Sequence, residues 1–193
     1  MKFKYEEILT KLIQNDSSLT VVDFRQANLS SIQSREIFKA LESNNKVITL
    51  KFLGNNSSDE AAIALGSMLE KNHTIEDLQL GSNEINNKDI VHIINGLKNN
   101  DTVTSLDLNS NLFDIADPIA DLLEHNNWIR EIDLTNSNIN NDGFLEIKAA
   151  LERNENSSLT AFNVYYPPIP CLDDFDNLCR ANAKKYESSV RLF

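Results

Sequence analysis

The feature that most constrains this chain is a repeat of about 28 residues. The first apolar residue of each repeat recurs at spacings of 28, 28, 28, 26 and 30 residues. These positions are Leu19, Val47, Ile75, Val103, Ile129 and Leu159. A fixed period between roughly 20 and 50 residues is the signature of an array in which each unit packs only against its neighbours. We therefore expect one elongated array rather than several globular domains.

Each repeat begins with the pattern of a short strand that leads into a turn. Two apolar columns are separated by one polar position, so their side chains share one face of a strand. The columns are Val22, Leu50, Leu78, Leu106, Ile132, Phe162 and Phe24, Phe52, Leu80, Leu108, Leu134, Val164. Three residues later come Ala27, Asn55, Asn83, Asn111 and Ser137. Asparagine suits a turn because its side chain can bond to nearby backbone groups.

The rest of each repeat predicts an amphipathic helix. Two apolar columns four residues apart lie on one helical face. They are Ile37, Leu65, Ile93, Ile119, Ile147 and Leu41, Leu69, Leu97, Leu123, Leu151. Asparagine follows each helix, at Asn44, Asn72, Asn100, Asn126 and Asn154, and predicts left-handed C-terminal caps. Asp117 is predicted to N-cap the helix of the fourth repeat ahead of Pro118, and Gly66 and Gly96 are predicted to allow a close approach between helices.

These columns resemble the leucine-rich repeat pattern L-x-x-L-x-L-x-x-N-x-L, and the long period is similar to that of the ribonuclease-inhibitor-like subclass. The resemblance implies an α/β solenoid, a right-handed horseshoe arc with a parallel sheet on its concave face and helices on its convex face. The sequence departs from the pattern at Ala27 and Ser137, which lack the turn amide, and at Ser57, where an apolar residue is expected.

We expect a single leucine-rich repeat domain over residues 1–193. An N-terminal capping helix is predicted within 1–18, five repeats within 19–158, and a final strand with a C-terminal capping helix within 159–193. The ends of such arrays need covers, because the outermost core layer would otherwise face water. A partner-binding role for the first helix is the alternative. Cys179 occupies a leucine column and is expected in the core.

The charge of the chain limits its partners. A formal charge of −11 argues against nucleic acid and against anionic membrane surfaces, and it permits a basic partner. The N-terminal sequence has no continuous apolar stretch of the kind found in signal peptides, and no segment is predicted to span a membrane. We therefore expect a cytoplasmic protein, and we expect it to be a monomer; delivery into a host cell is implied only by the similarity to bacterial effectors described below.

The predicted concave face carries the candidate binding residues. They are Asp77, Gln79, Asp107, Asn109, Glu131, Asp133, Thr135 and Tyr165. A row of like charges on neighbouring strands is unfavourable unless a cation or a basic partner neutralises it. These residues therefore predict a protein-binding surface for a basic or amide-rich partner, with Trp128 and Tyr165 as aromatic anchors. The alternative is that the acids only keep the sheet soluble.

The sequence predicts a non-catalytic protein without cofactor or metal. Paired carboxylates can serve as general acid and base, but no positioned histidine or oxyanion-binding loop accompanies them. What the resemblance implies is protein–protein recognition. The chain is similar to leucine-rich repeat effectors that intracellular bacteria deliver to host cells. The alternative is a cytoskeletal module, because five to six repeats with a terminal helix also resemble the leucine-rich domain of tropomodulins, which cap actin filaments.

Overall fold

A computed structural model describes residues 5–55, 58–164 and 172–190, and the side chains of the last helix over 173–185. Within these residues six strands alternate with seven helices. The helices are α1 (Tyr5–Ile13), α2 (Ser31–Leu41), α3 (Asp59–Lys71), α4 (Asn87–Leu97), α5 (Asp117–His125), α6 (Asn141–Arg153) and α7 (Leu172–Val190). The strands are β1 (Val21–Asp23), β2 (Thr49–Lys51), β3 (Asp77–Gln79), β4 (Ser105–Asp107), β5 (Glu131–Asp133) and β6 (Ala161–Asn163). None of the described helices is both long enough and apolar enough to cross a membrane.

The strands form one open parallel sheet in the order β1-β2-β3-β4-β5-β6. Equivalent residues of successive repeats are paired, so Leu50 lies beside Leu78 and Leu78 beside Leu106. The middle residue of each strand is buried against the helices, while its two neighbours point outward. The predicted leucine-rich repeat solenoid is confirmed, with the sheet on the concave side.

Helices cover both ends of the described core. At the first repeat α1 buries Tyr5 and Leu12. At the last repeat the ring of Phe175 in α7 stacks on that of Phe162, with centroids 4.2 Å apart. Cys179 is buried as predicted, and burial raises the pKa of its thiol to about 11. The division of the chain into a single domain with caps within 1–18 and 159–193 stays a prediction.

The asparagines that follow the helices form a ladder between repeats. The prediction of left-handed caps was wrong, because Asn72, Asn126 and Asn154 have φ values of −85°, −87° and −85°. Their side chains instead reach back to the preceding repeat. The Asn72 amide, for example, donates to the carbonyl oxygens of Leu41 and Asn44 at 2.8 and 3.0 Å. Buried polar backbone groups that have no regular partner are satisfied in this way.

A second ladder joins the turns that leave the strands. The Asn83 amide donates to the carbonyl oxygens of Phe52 at 2.9 Å and Leu80 at 2.8 Å, and the Asn83 backbone N–H donates to Asn111 Oδ1 at 3.0 Å. The predicted turn role of this column is confirmed, and the side chains also bridge repeats. Where Ser137 replaces asparagine, its hydroxyl is buried without a hydrogen-bond partner. The departure at Ser57 lies outside the described residues.

The helix of the fourth repeat, α5, begins differently from the prediction. Asp117 is its first residue and Pro118 its second, while Ala116 holds the N-cap position without a side-chain hydrogen bond. The predicted Asp117 cap was therefore wrong by one residue. Pro118 still fits, because the first turn of a helix has no intrahelical use for its N–H group.

Gly66 and Gly96 lie where α3 and α4 touch, as predicted. A Cβ atom on Gly96 would overlap the carbonyl oxygen of Gly66 and lie 2.9 Å from its Cα. A Cβ atom on Gly66 would in turn lie 3.0 Å from the carbonyl carbon of His92. The obstructing atoms belong to the backbone, so a side chain at either glycine would force the two helices apart.

Replacing Gly96 with alanine should therefore lower the free energy of unfolding by about 2 kcal/mol, although alanine is the better helix former. Urea unfolding monitored by circular dichroism measures the change. Ser67→Ala on the neighbouring half-buried position of α3 serves as the control and should have a small effect. A more stable Gly96→Ala variant would show that the helices are not held at this distance by the glycines.

Asp89 is the most unusual side chain of the helical layer. It is fully buried in the first turn of α4, where its Oδ2 accepts the N–H of Asn86 at 3.1 Å and its Oδ1 has no hydrogen-bond partner. Burial raises the pKa of this carboxyl, and the charge of Asp59 raises it further. The ionised form is therefore unfavourable in the folded protein.

We expect the Asp89 carboxyl to titrate above the ordinary value for aspartate, about 3.9. Its ionisation should reduce stability as the pH rises through its folded-state pKa, because the folded state binds the proton more tightly than the unfolded chain does. A carbon-13 NMR titration of the assigned carboxyl groups measures this directly. An Asp89 resonance that titrates at or below the ordinary value would contradict the expectation.

Candidate functional site: the acidic concave face

Four carboxylates converge on the outward side of the sheet, and together they are called the acidic face. They are Asp77, Asp107, Glu131 and Asp133. Asp107 lies directly beside Asp133 on the next strand, and Gln79 lies beside Asp107 on the other side. Because neighbouring strands are about 4.8 Å apart, the two aspartates occupy adjacent positions in one row. The four carboxylates surround a shallow depression in the sheet.

Hydrogen bonds within the face hold the two central carboxylates, those of Asp107 and Asp133, in fixed positions. Asp107 Oδ1 accepts the backbone N–H of Asn109 at 2.9 Å and its side-chain amide at 2.5 Å. Asp133 Oδ1 accepts the backbone N–H of Thr135 at 2.8 Å. Asn109 and Thr135, two of the predicted site residues, therefore donate hydrogen bonds to the carboxylates of Asp107 and Asp133. The arrangement presents carboxylates that are already ordered before any partner arrives.

The carboxylates of the acidic face are not paired with basic side chains of the described residues, in contrast to a carboxylate at the other end of the sheet. At the β1 end, Asp23 forms an ion pair with Arg25 at 2.6 Å. Among the described residues, no salt bridge reaches any of the four carboxylates of the acidic face. Gln79 contributes only a neutral donor, its amide bonding Asp77 Oδ2 at 2.9 Å. The face therefore remains negative.

Ionisation of the Asp107 carboxyl is unfavourable in the folded protein. Burial raises its pKa, and the charges of Asp133 and Asp77 raise it further, although the hydrogen bonds from Asn109 act in the opposite direction. Placing a negative charge here reduces the stability of the folded protein.

The substitution Asp107→Asn should therefore stabilise the domain at neutral pH. The amide oxygen can still accept from Asn109, and the repulsion from Asp133 is removed. The gain should grow as the pH rises above the ordinary aspartate pKa of about 3.9 and should level off above the raised folded-state pKa of Asp107, because only the unmodified protein becomes charged at this position. Unfolding at several pH values measures it, with the exposed Asp142→Asn as the control. If the Asp107→Asn variant were less stable than the unmodified protein at neutral pH, the negative charge of Asp107 would not be unfavourable.

The structure brings together all but one of the predicted site residues. Tyr165 lies outside the described residues. Trp128 precedes β5 and its side chain is 54% exposed, so it is available for contact at the edge of the sheet. Ser105 and Asn163 are not among the predicted site residues, yet both line the same depression. The same outward columns of the repeat would have identified them.

The acidic face carries side chains of the kinds that form contacts across protein interfaces. In the described part of the chain, no three His, Cys, Asp or Glu side chains are grouped closely enough to hold a metal ion. An open sheet with fixed carboxylates, amides and hydroxyls is suited to hydrogen bonds and charge pairing across a protein interface.

Residues 2–117 match the family described as the TMOD/LMOD leucine-rich domain. Two solved structures share the fold. A leiomodin-1 structure titled actin-binding site 2 (ABS2) aligns over all of this chain and 96% of its own length, with a TM-score of 0.65 and 22% identity. The tropomodulin C-terminal domain of Caenorhabditis elegans aligns over 98% of this chain and 99% of its own length, with a TM-score of 0.62 and 16% identity.

Among curated proteins no sequence matches the chain. The assignment to the ribonuclease-inhibitor-like subclass receives no support from these comparisons and stays a prediction, whereas the leucine-rich repeat assignment is confirmed. The family match covers more than half of the sequence, from the first helix to the start of α5. The chain therefore belongs to the family of TMOD/LMOD leucine-rich domains, the leucine-rich domains of tropomodulins and leiomodins.

Proposed function

We propose that this chain is a non-catalytic interaction module that binds actin, and that the acidic face is its contact surface. The observation that carries the proposal is the family match over residues 2–117. The leiomodin-1 structure that shares the fold is named as an actin-binding site. Actin binding would place the protein in the cytoplasm.

The comparisons favour the cytoskeletal alternative over the main hypothesis from the sequence. A bacterial effector delivered into a host cell receives no support from the family match or from the two solved structures. What the two hypotheses share is a protein partner and a leucine-rich repeat scaffold. We therefore retain protein binding and replace the effector hypothesis with actin binding.

The unfavourable negative charge of Asp107 supports the proposal that the acidic face is the contact surface. Burial and the neighbouring carboxylates raise the pKa of Asp107, so the folded protein would be more stable with a neutral residue there. Side chains that reduce stability are commonly retained at functional sites, because the interaction with a partner compensates for them. A basic or amide-rich surface on actin would supply that compensation for Asp107 and Asp133.

The backbone beneath the face supports binding with little loss of conformational freedom. Each strand is bonded in register to the next, and Asn109 and Thr135 fix the two central carboxylates. A surface that is ordered before binding loses less entropy when a complex forms.

Co-sedimentation of the purified protein with actin filaments tests the proposed partner. We expect saturable pelleting with actin, and a parallel assay of elongation from filament pointed ends extends the test to a capping role. A protein that stays in the supernatant at every actin concentration, and that also fails to bind monomeric actin, would rule out actin as the partner.

A further inference from the structure

A groove between α1 and α2, on the helical side of the first repeats, is a second candidate binding surface. This α1–α2 groove is lined by Leu9 and Ile13 of α1 and by Ile32, Arg35, Lys39 and Ala40 of α2. The side chains of Ile13 and Ile32 are 68% and 65% exposed, more than any other large apolar side chain in the described residues. Both most exposed apolar residues therefore face the same depression.

The charges of the groove leave one cation available. Glu36 accepts the Tyr5 hydroxyl at 2.5 Å, and Glu42 is bridged by Lys39 at 2.7 Å and by Lys71 at 3.2 Å. Arg35 is exposed and forms no ion pair with the described residues. The carboxylates at the groove are thus already engaged, and the guanidinium of Arg35 is not.

The distribution of charge along the sequence places this groove in a weakly basic part of the chain. Residues 1–51 contain eight Lys and Arg against six Asp and Glu, a net charge of +2. Residues 52–193 have a net charge of −13, and the two parts together give the total of −11. A long acidic surface would repel an acidic ligand, whereas the groove and its surroundings would attract one.

We propose that the α1–α2 groove binds an amphipathic helix of another protein, with an apolar stripe flanked by Asp and Glu residues. A depression between helices accepts a ridge of side chains spaced three and four residues apart, which is the pattern of a helical ligand. The apolar stripe packs on Ile13 and Ile32, and a carboxylate pairs with Arg35. The helix α1 thus serves both the core, through Tyr5 and Leu12, and a partner, through Ile13.

This surface is independent of the acidic face. It lies on α1 and α2, on the opposite side of the sheet from Asp107 and Asp133, and it favours a partner of opposite charge. The protein could then hold a basic surface on its concave side and an acidic helix on its convex side at the same time. Failure of actin binding would leave this inference untouched.

The test uses two synthetic peptides of about 16 residues, each held helical by a lactam bridge. Both carry leucines at helical spacing; one has glutamates flanking the stripe and its twin has lysines. Fluorescence anisotropy with the whole protein should show the glutamate peptide binding at least about tenfold more tightly than the lysine peptide. Amide shift perturbations in NMR spectra should be centred on α1 and α2.

Single substitutions locate the contacts. Ile32→Glu should weaken binding of the glutamate peptide by at least about tenfold, and Arg35→Glu should remove the preference for it over the lysine peptide. Ile63→Glu, which alters an exposed isoleucine of α3 outside the groove, should leave binding unchanged. Thermal melts of each variant confirm that folding is retained.

Four results would overturn the inference, of which three come from the peptide experiments. These are no binding of either peptide, equal binding of both, or shift perturbations away from α1 and α2. A concentration-dependent dimer in sedimentation equilibrium that Ile32→Glu dissolves would also overturn it, because the groove would then be occupied by a second copy of this chain.

Discussion

Replacing Asn100 with leucine should lower the free energy of unfolding by about 3–5 kcal/mol, a large fraction of the stability of a domain of this size. Asn100 is 2% exposed and its amide donates to the carbonyl oxygens of Leu69 at 2.8 Å and Asn72 at 3.0 Å. Its Oδ1 accepts the backbone N–H groups of Thr102 at 3.0 Å and Val103 at 2.8 Å.

Leucine has nearly the same size but can make none of these four bonds. Buried carbonyl and N–H groups on two repeats would lose their partner, and each unsatisfied group costs about 1–3 kcal/mol before relaxation. Because Asn100 stands in the middle of the ladder and its amide reaches back to the preceding repeat, the loss should loosen the contact between the second and third repeats. Hydrogen exchange should show reduced protection of the amides of Thr102 and Val103.

Asn138→Leu is the matched control for the ladder. Asn138 is exposed and its amide makes one hydrogen bond, to the carbonyl oxygen of Leu112 at 3.2 Å. Its replacement should cost less than about 1 kcal/mol. If the two leucine variants lost the same stability, the ladder would not be a major source of cohesion between repeats.

The ladder illustrates what the sequence predicts and what it does not. The period of the asparagines was evident, and it correctly indicated a structural role at the end of each helix. The local pattern alone suggested a cap within the same helix. The amide of Asn72 instead bonds to Leu41, 31 residues earlier, and a contact between repeats depends on how the units stack.

The apolar columns predicted the fold because each buries one side of a strand or helix wherever the units are stacked. Outward residues are equally predictable, since a strand alternates its faces, and this alternation places Asp107 and Asp133 in one row. The depth of Asp107 in the face was not predictable, because its burial depends on the neighbours around it.

The groove beside α1 could not be found from the sequence. Ile32 belongs to a helix whose other apolar residues, such as Ile37 and Leu41, are fully buried. Whether an apolar residue at the start of α2 is covered depends on the angle at which α1 crosses it. The start of α5 could not be predicted to the residue either. The sequence suggests Asp117 as the N-cap, whereas Ala116 holds that position.

The double substitution Asp107→Lys with Asp133→Lys should weaken actin binding by roughly 30–100-fold, a loss of about 2–3 kcal/mol. It converts two adjacent negative charges at the centre of the acidic face into two positive ones. A basic contact surface on actin would then be repelled. Both side chains point outward from the sheet, so the fold should persist, and circular dichroism checks this.

Glu70→Lys with Glu146→Lys is the matched control for this double substitution. It changes the net charge of the protein by the same amount, but both residues are exposed on the helical side, in α3 and α6. We expect at most a small change in affinity, from the long-range charge alone.

The most direct test of the acidic face is the affinity for actin measured across a salt series, for the unmodified protein and for both double variants. We predict that the affinity of the unmodified protein and of the Glu70/Glu146 variant falls steeply as salt increases, because binding depends on charge pairing. The Asp107/Asp133 variant should bind weakly at low salt and should lose this dependence. A folded Asp107/Asp133 variant that binds actin as tightly as the unmodified protein at every salt concentration would contradict the account and place the contact on another surface.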